Sequence, residues 1–460
     1  MRASPRTSLS NLGNLPGLNT TSLSNLTLPQ KQSILQAASK ICNQLMTDLG
    51  VKWKPQPVDS VLRARTVTWI KTELEPVVGK VDNRFLLSND AGLTYTERVY
   101  EGGDFETKCS MVKYVSVAIY LDDLIDKDAG MAKEAESFLV KMLSSDSRDA
   151  TKLNSCESWL NQYRLASLEL ASHMSDPFVS NMLLHSCTLF IEGCALEYHI
   201  QQDQSKYFLV QSAEEELARD AAERALSESH GPGCDIPLPL DADRGVEGKG
   251  LMPHGWPIWL RERSAVAETF AITSFRAPYG IEIPTWLWVT AISELRTIIL
   301  SINDVLSFAK ELMADDATSS IAVLTKERRM IGMPGTAEDG GWCLRDTFEE
   351  VCGKLLVAGA RINRLLRPGR AEARYDAADG RAYTVEELAE MIKSGGGQGV
   401  SREERMKALA LKLWETHQRG YVAWHFQSLR YRTHELFDWV PEMMGGEAKD
   451  AGPGWITSQF

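Results

Sequence analysis

The 460-residue sequence has no Cys-x-x-Cys pair and no regular spacing among its eight cysteines. That excludes a zinc ribbon or a disulfide framework and fits reduced thiols in the core of a cytoplasmic protein. Positive charge is short. Fifty Lys and Arg against 62 Asp and Glu leave a net charge of −12, which excludes a broad nucleic-acid surface. No apolar run approaches the ~20 residues needed to cross a bilayer, and the N-terminus lacks a secretory hydrophobic stretch. Alternating apolar runs joined by hairpin turns are missing, which removes sheet folds. No Ser/His/Asp or Cys/His arrangement stands out. An acidic chain of this kind that binds an anion needs metal ions or local Arg and Lys.

What remains is helix upon helix. Hydrophobic residues make up 43% of the chain, ample for a core. Apolar residues recur at helical spacing in "KQSILQAASKICNQLMTDL" and near 59–77, 104–125, 149–171, 177–200, 256–275, 285–314, 341–366 and 401–440. The fold class expected is all-α, a single large bundle over 29–445 with a central cavity. Residues 1–28, rich in Ser, Asn, Leu, Thr and Pro, read as a disordered tail with a faint likeness to a transit peptide. A second tail covers 446–460. Two stretches interrupt the bundle. Residues 203–255 pass from an acidic helix into Gly/Pro-rich loop, and 367–402 hold "RPGRAEARYDAADGRAY" and "SGGGQG". Both read as surface insertions.

Chemistry is concentrated in two places. "YLDDLIDKD" follows the apolar run "MVKYVSVAIYL". Asp122 and Asp126 are four apart, about 40° around a helix, while Asp123 points roughly 100° away. Buried carboxylates need a cation or a hydrogen-bond network; the plain alternative is a helix end surfacing into solvent. An EF-hand is excluded, since the required Gly and closing Glu are absent. The second place is "LSINDVLSFAKEL". Asn303, Ser307 and Glu311 stand at i, i+4 and i+8 on one face of an apolar helix. All three offer hard oxygen donors, which select Mg²⁺ or Mn²⁺ over zinc. A hydrogen-bonded polar seam between helices is the alternative. Two such faces on two helices suggest a cavity where metal ions meet a polyanion, with diphosphate the natural guess.

"DDLID", followed about 180 residues later by "NDVLSFAKE", resembles the paired metal motifs of class I terpene synthases. "AWHFQSLRYRTHELF" near the C-terminus resembles the end of the fungal trichodiene synthase-like family, longiborneol synthase-like sesquiterpene cyclases among them. The motifs span roughly residues 114–432. The resemblance implies a Mg²⁺-dependent lyase of isoprenoid secondary metabolism that ionises farnesyl diphosphate and cyclises the carbocation. It implies three Mg²⁺ ions, replaceable by Mn²⁺. Asp122 and Asp126 would bind metal on one side, and Asn303, Ser307 and Glu311 on the other. Lys310, Arg430 and Tyr431 would hold the diphosphate, and Arg261 would sense it, with Arg263 or a surface salt bridge as alternatives. Tyr114 and Trp424, placed by helical phase on the same faces as Asp122 and Tyr431, are candidates for the pocket wall or for ordinary core. Ser428 departs from the family, which often has Asp there.

The partner expected is a small prenyl diphosphate, with no nucleic acid, no transmembrane segment and a homodimer as the candidate assembly. A chain-elongating prenyltransferase is the nearest rival, and a catalytically silent helical binding protein the rival from another class.

Overall fold

Capping residues written into the sequence start most of the helices. In the computed structural model, residues 15–20, 23, 26–51, 57–143, 155–202, 256–264, 266–316, 318–367, 383–395, 401–428, 430–431 and 433–440 are described. Thr27 opens α1 (Leu28–Asp48) with a capping box to Gln30, satisfying amides that the first turn leaves without partners. Asp59 caps α2 (Ser60–Trp69), which runs through a π-turn at Ile70–Leu74 into α3 (Glu75–Val78). Asp82 caps α4 (Asn83–Val99), and Asp104 caps α5 (Phe105–Ile125). Two short helices follow, α6 (Ala129–Glu136) and α7 (Phe138–Leu143), then α8 (Ser155–Ser172) and α9 (Pro177–Gln202). Next come α10 (Trp256–Ser264), α11 (Ala267–Thr273) and α12 (Ile292–Met313). The chain ends through α13 (Ser320–Met330), α14 (Leu344–Leu366), α15 (Val385–Lys393), α16 (Arg402–Gln427) and α17 (Thr433–Leu436).

The all-α expectation holds. Among the described residues the only extended pairings are two isolated bridges, Arg276 with Glu282 and Pro334 with Gly341. One continuous hydrophobic core runs from Leu15 to Val440. Its central layer is α4 between α5 and α16. Two glycines permit that closeness. A Cβ on Gly92 would lie 2.5 Å from Ser116 Oγ of α5, and one on Gly420 would lie 1.9 Å from the Arg98 carbonyl oxygen of α4. On the far side α12 packs on α14, where Phe308 meets Phe348 edge to face at 5.1 Å.

Several expectations are corrected. α4 carries little apolar periodicity and is not among the expected helices. Beside Phe85, Leu93, Tyr95 and Val99 it buries Ser88, Asn89, Thr94 and Thr96. Thr94 and Thr96 return their hydroxyls to the carbonyls of Asp90 and Gly92 at 2.8 Å, so small polar side chains enter the core satisfied. Within 1–28, Leu15–Thr20 form a docked strap rather than a disordered tail. Leu15 and Leu18 are buried against α1 and α14, and the Leu344 amide donates to Thr20 O at 3.1 Å. Within 367–402, α15 is a capped helix docked on α16, with Val385, Leu388 and Ala389 buried. Residues 203–255 and 446–460 lie outside the described residues.

One helix among the described residues, α9, is long and apolar enough to cross a membrane by length and composition, although polar residues such as Glu192 interrupt its apolar run. Over half of its apolar window is buried inside the bundle, where Leu183, Cys187, Ile191 and Cys194 face neighbouring helices. Core burial accounts for its composition.

Candidate functional site

The aspartate cluster follows from where α5 stops. The helix buries Met111, Val112 and Tyr114–Ala118 and then emerges, with Asp126 as its C-terminal cap. Asp122, Asp123 and Asp126 line a cavity of about 180 Å³. Asp128 does not join them. Its carboxylate accepts the Gly130 and Met131 amides at 2.8 and 3.0 Å and starts α6. The opposite wall is α12, which presents Asn303, Ser307, Lys310 and Glu311 to the same cavity. The Ser307 hydroxyl donates to the Glu311 carboxylate. The two oxygen-rich faces therefore meet.

Arg430 and Tyr431 close the mouth. α16 ends as the Ser428 amide donates to Trp424 O at 2.8 Å, and Ser428 Oγ accepts the Arg430 amide at 3.3 Å. Ser428 thus shapes the turn that aims both residues inward. Arg430 spans the cluster, with Nη2 2.7 Å from Asp122 Oδ2 and Nη1 2.5 Å from Asp123 Oδ2. Asp123, expected to point away, is corrected to a cavity residue.

Arg261 on α10 reaches α12. Its Nε lies 2.6 Å from Asp304 Oδ1, and its Nη2 donates to Asn303 Oδ1. Arg263 turns aside to Glu192 and the Trp259 ring. Trp424 lines the cavity, and its Nε1 donates to Ala91 O at 2.9 Å. Tyr114 does not line it. The ring is fully buried against Tyr163, hydroxyl to hydroxyl at 3.2 Å, and the α5 wall is Val115, Ala118 and Ile119 instead.

The charges are unbalanced. Six carboxylates line the cavity (Asp122, Asp123, Asp126, Glu197, Glu311 and Asp316) against Arg261, Lys310 and Arg430. Burial and the neighbouring charges of Asp122, Asp316 and Asp123 push Asp126 up to about 7. Burial and Asp316 also raise Glu311. At Asp123 burial opposes ionisation, but Arg430 and Lys310 outweigh it and hold the carboxyl below its usual range. Burial and the nearby Arg430 charge lower Lys310.

Residues that spacing did not single out complete the site. Asp304 pairs with Arg261. Asp316 arrives through a helix-ending turn in which Asp315 has φ 53° and the Asp316 amide donates to Glu311 O at 3.0 Å. Asp and Asn tolerate that left-handed conformation better than most residues. Ser319 borders the cavity with a buried hydroxyl that has no partner. His425 is fully buried beside Asn303, and burial pushes it down to about 3. The available signal for His425 was its place four residues after Tyr421, which also lines the cavity.

The inner wall is apolar: Val115, Ala118, Phe190, Phe270, Ile299 and Leu300. A charged mouth over an apolar pocket can grip a polar head and shield an apolar tail from water.

No family model matches the chain, and no curated protein matches it as a relative. Among solved structures it is similar to the linalool/nerolidol synthase from Streptomyces clavuligerus, determined in complex with 2-fluorogeranyl diphosphate. The identity is 14%, over 82% of this chain and 98% of that one, with a TM-score of 0.40. A likeness this loose identifies neither a family nor a reaction. The chemistry has to be read from the cavity itself.

Proposed function

We propose that this protein is a class I terpene synthase of the sesquiterpene type, ionising farnesyl diphosphate and cyclising the cation with release of diphosphate. The observation that carries the reading is the cavity mouth. Two facing oxygen-donor walls meet three half-buried cations there, beside an apolar wall. An anion would be repelled by six carboxylates unless positive charge arrived with it.

The donor set fits Mg²⁺. Every candidate ligand is an oxygen: Asp122 and Asp126 on α5, Asn303, Ser307 and Glu311 on α12. Among the described residues no three His, Cys, Asp or Glu side chains are placed to hold a metal ion by themselves. Mg²⁺ is usually held by one or two carboxylates with substrate phosphates and water completing the shell. Bound there, Mg²⁺ would neutralise the diphosphate and stabilise it as a leaving group.

The protein's own part is positioning. Arg261, Lys310, Arg430 and the Tyr431 hydroxyl converge on the mouth as donors for phosphate oxygens, and the arginines supply planar forks. Each arginine must exchange partners to do so, because Arg430 rests on Asp122 and Asp123, and Arg261 on Asn303 and Asp304. The cavity volume of about 180 Å³ is below the ~300 Å³ at which ligand pockets begin, so these contacts open as substrate enters. Once the head group departs, the apolar wall excludes water and Trp424, Tyr421 and Phe270 offer aromatic faces to the cation.

The test is incubation with Mg²⁺ and geranyl, farnesyl or geranylgeranyl diphosphate, with mass spectrometry of volatiles and assay of released diphosphate. Farnesyl diphosphate should give a cyclic hydrocarbon or alcohol, and EDTA should stop it. Turnover only with added isopentenyl diphosphate would make the protein an elongating enzyme. No diphosphate release from any substrate would overturn the reading.

A further inference from the structure

Asn303 is unusual among the oxygen donors, because an amide can present its oxygen or its NH₂ to the cavity. Something must choose. On one side Asn303 Oδ1 accepts from Arg261 Nη2. On the other, Asn303 Nδ2 lies 3.1 Å from His425 Nε2 and 3.4 Å from the Tyr431 hydroxyl. His425 Nδ1 lies 2.8 Å from the Tyr421 carbonyl oxygen. A carbonyl only accepts, so Nδ1 carries the proton. The ring is fully buried, with the rings of Tyr421, Trp424 and Tyr431 at 4.8, 4.8 and 4.3 Å, where the neutral form is favoured. In the neutral ring Nε2 then holds a lone pair and can only accept. It demands the NH₂ of Asn303.

Resting on the proposed reading of the cavity, we propose that His425 is a positioning residue that fixes the Asn303 amide with its oxygen toward the ligand. Arg261 makes the same choice before ligand arrives. It leaves Asn303 when it turns to phosphate, and from then on the amide is held from its NH₂ side, at 3.1 Å by His425 and more loosely at 3.4 Å by the Tyr431 hydroxyl, which can donate or accept and so does not by itself choose an orientation. A flipped amide would set Oδ1 against the Nε2 lone pair and turn NH₂ toward any cation in the cavity. Tyr421 is the partner that sets the tautomer, so the α16 backbone dictates the orientation of a side chain on α12. Groups that orient ligands in this way are worth about 10- to 100-fold in metal affinity when removed.

The experiment is a Mg²⁺ titration of the melting temperature in the presence of inorganic diphosphate, on the full chain. His425→Asn keeps a donor for the Tyr421 carbonyl but is too short to reach Asn303. His425→Gln can reach it with an acceptor oxygen. The half-saturating Mg²⁺ concentration should rise about 10- to 100-fold in His425→Asn and by no more than a few-fold in His425→Gln. In an Asn303→Ala background, His425→Asn should add nothing, because the amide it orients is gone. A merely structural role would lower the melting temperature without ligand equally in both backgrounds and leave the Mg²⁺ midpoint in place. That result, or equal midpoints for the Asn and Gln variants, overturns the inference. Absence of any shift in the wild type would instead overturn the reading of the cavity, and this inference with it.

Discussion

Arg430 and Asp123 offer the sharpest test of the site. Arg430 holds Asp122 and Asp123 at 2.7 and 2.5 Å, with side-chain exposures of 14%, 30% and 27% respectively. Charged hydrogen bonds contribute about 1.5–3 kcal/mol each, and exposed ion pairs about 0.2–1 kcal/mol. Partial exposure places each bond here near ~2 kcal/mol. Arg430→Met removes both bonds and leaves two carboxylates facing each other. It should cost roughly 4 kcal/mol, the middle of the range for breaking a buried pair. Asp123→Asn loses one bond but also relieves Asp122 of a like charge, so it should cost about 1 kcal/mol or less. The coupling energy from the double-mutant cycle should therefore be about 2 kcal/mol. The assay is urea unfolding of the four proteins at neutral pH in EDTA, read at constant m-value. Coupling below about 0.5 kcal/mol would mean that the pair behaves as a surface contact. Asp123 would then lie off the site, where simple helical phase puts it.

The other predictions concern the scaffold. Leu18→Ala should cost about 2–4 kcal/mol, because Leu18 is fully buried under α1 and α14; a change in urea midpoint near zero would show that the N-terminal strap does not dock. Gly420→Ala should be still more damaging, with a loss above ~3 kcal/mol or failure to fold, since its Cβ would meet the Arg98 backbone and not a movable side chain; a folded, wild-type-like variant would show that α16 and α4 lie further apart. His417, fully buried with Nδ1 2.5 Å from Ser274 Oγ, is pushed down by burial to about 3. Its unfolded value is about 6.5, so unfolding takes up a proton between those limits. Stability from this group is complete above about pH 6.5 and lost as pH falls toward ~3, by up to ~1.4 kcal/mol per pH unit. His417→Phe should flatten the stability-versus-pH curve in that window, and an unchanged slope would show that His417 is already protonated in the fold.

The contrast between what spacing revealed and what it hid has a geometric basis. Asn303, Ser307 and Glu311 drift only about 40° per step, so Ser307 stays central and both neighbours reach the cavity. The same arithmetic misplaced two residues of α5. Its cavity-lining side chains run from Ala118, about 40° to one side of Asp122, to Asp123, about 100° to the other. Tyr114 falls about 80° off Asp122, on the Ala118 side and outside that arc, where it meets Tyr163 instead. Asp123 falls just inside the arc because the mouth is widest at the helix end and Arg430 leans over it. A periodicity gives the direction of a Cα–Cβ bond, not the width of the space it faces. α4 escaped detection for a different reason: hydroxyls and an amide interrupt its apolar core face, with Thr94 and Thr96 bonded back to their own helix and Asn89 Nδ2 bonded to Ser116 Oγ of α5.

Two of the residues hidden from spacing have roles set by partners distant in sequence, and the third is set by a local backbone turn. Asp304 matters through Arg261, 43 residues away, and His425 through Asn303, 122 residues away. Asp316 matters because a left-handed Asp315 folds it back beside Glu311. Each of these changes the electrostatics of a donor that spacing did find. Asp304 stays paired with Arg261, Asp316 raises both Asp126 and Glu311, and His425 orients Asn303. The consequence is a site whose two walls cannot be tuned separately. Neutralising Asp316 should ease Asp126 and Glu311 together, so an Asp316→Asn substitution acts on α5 and α12 at once. One loop carboxylate thus raises a donor on each wall, so positive charge placed between α5 and α12 acts on both together. A ligand that brings its cations with it meets that condition.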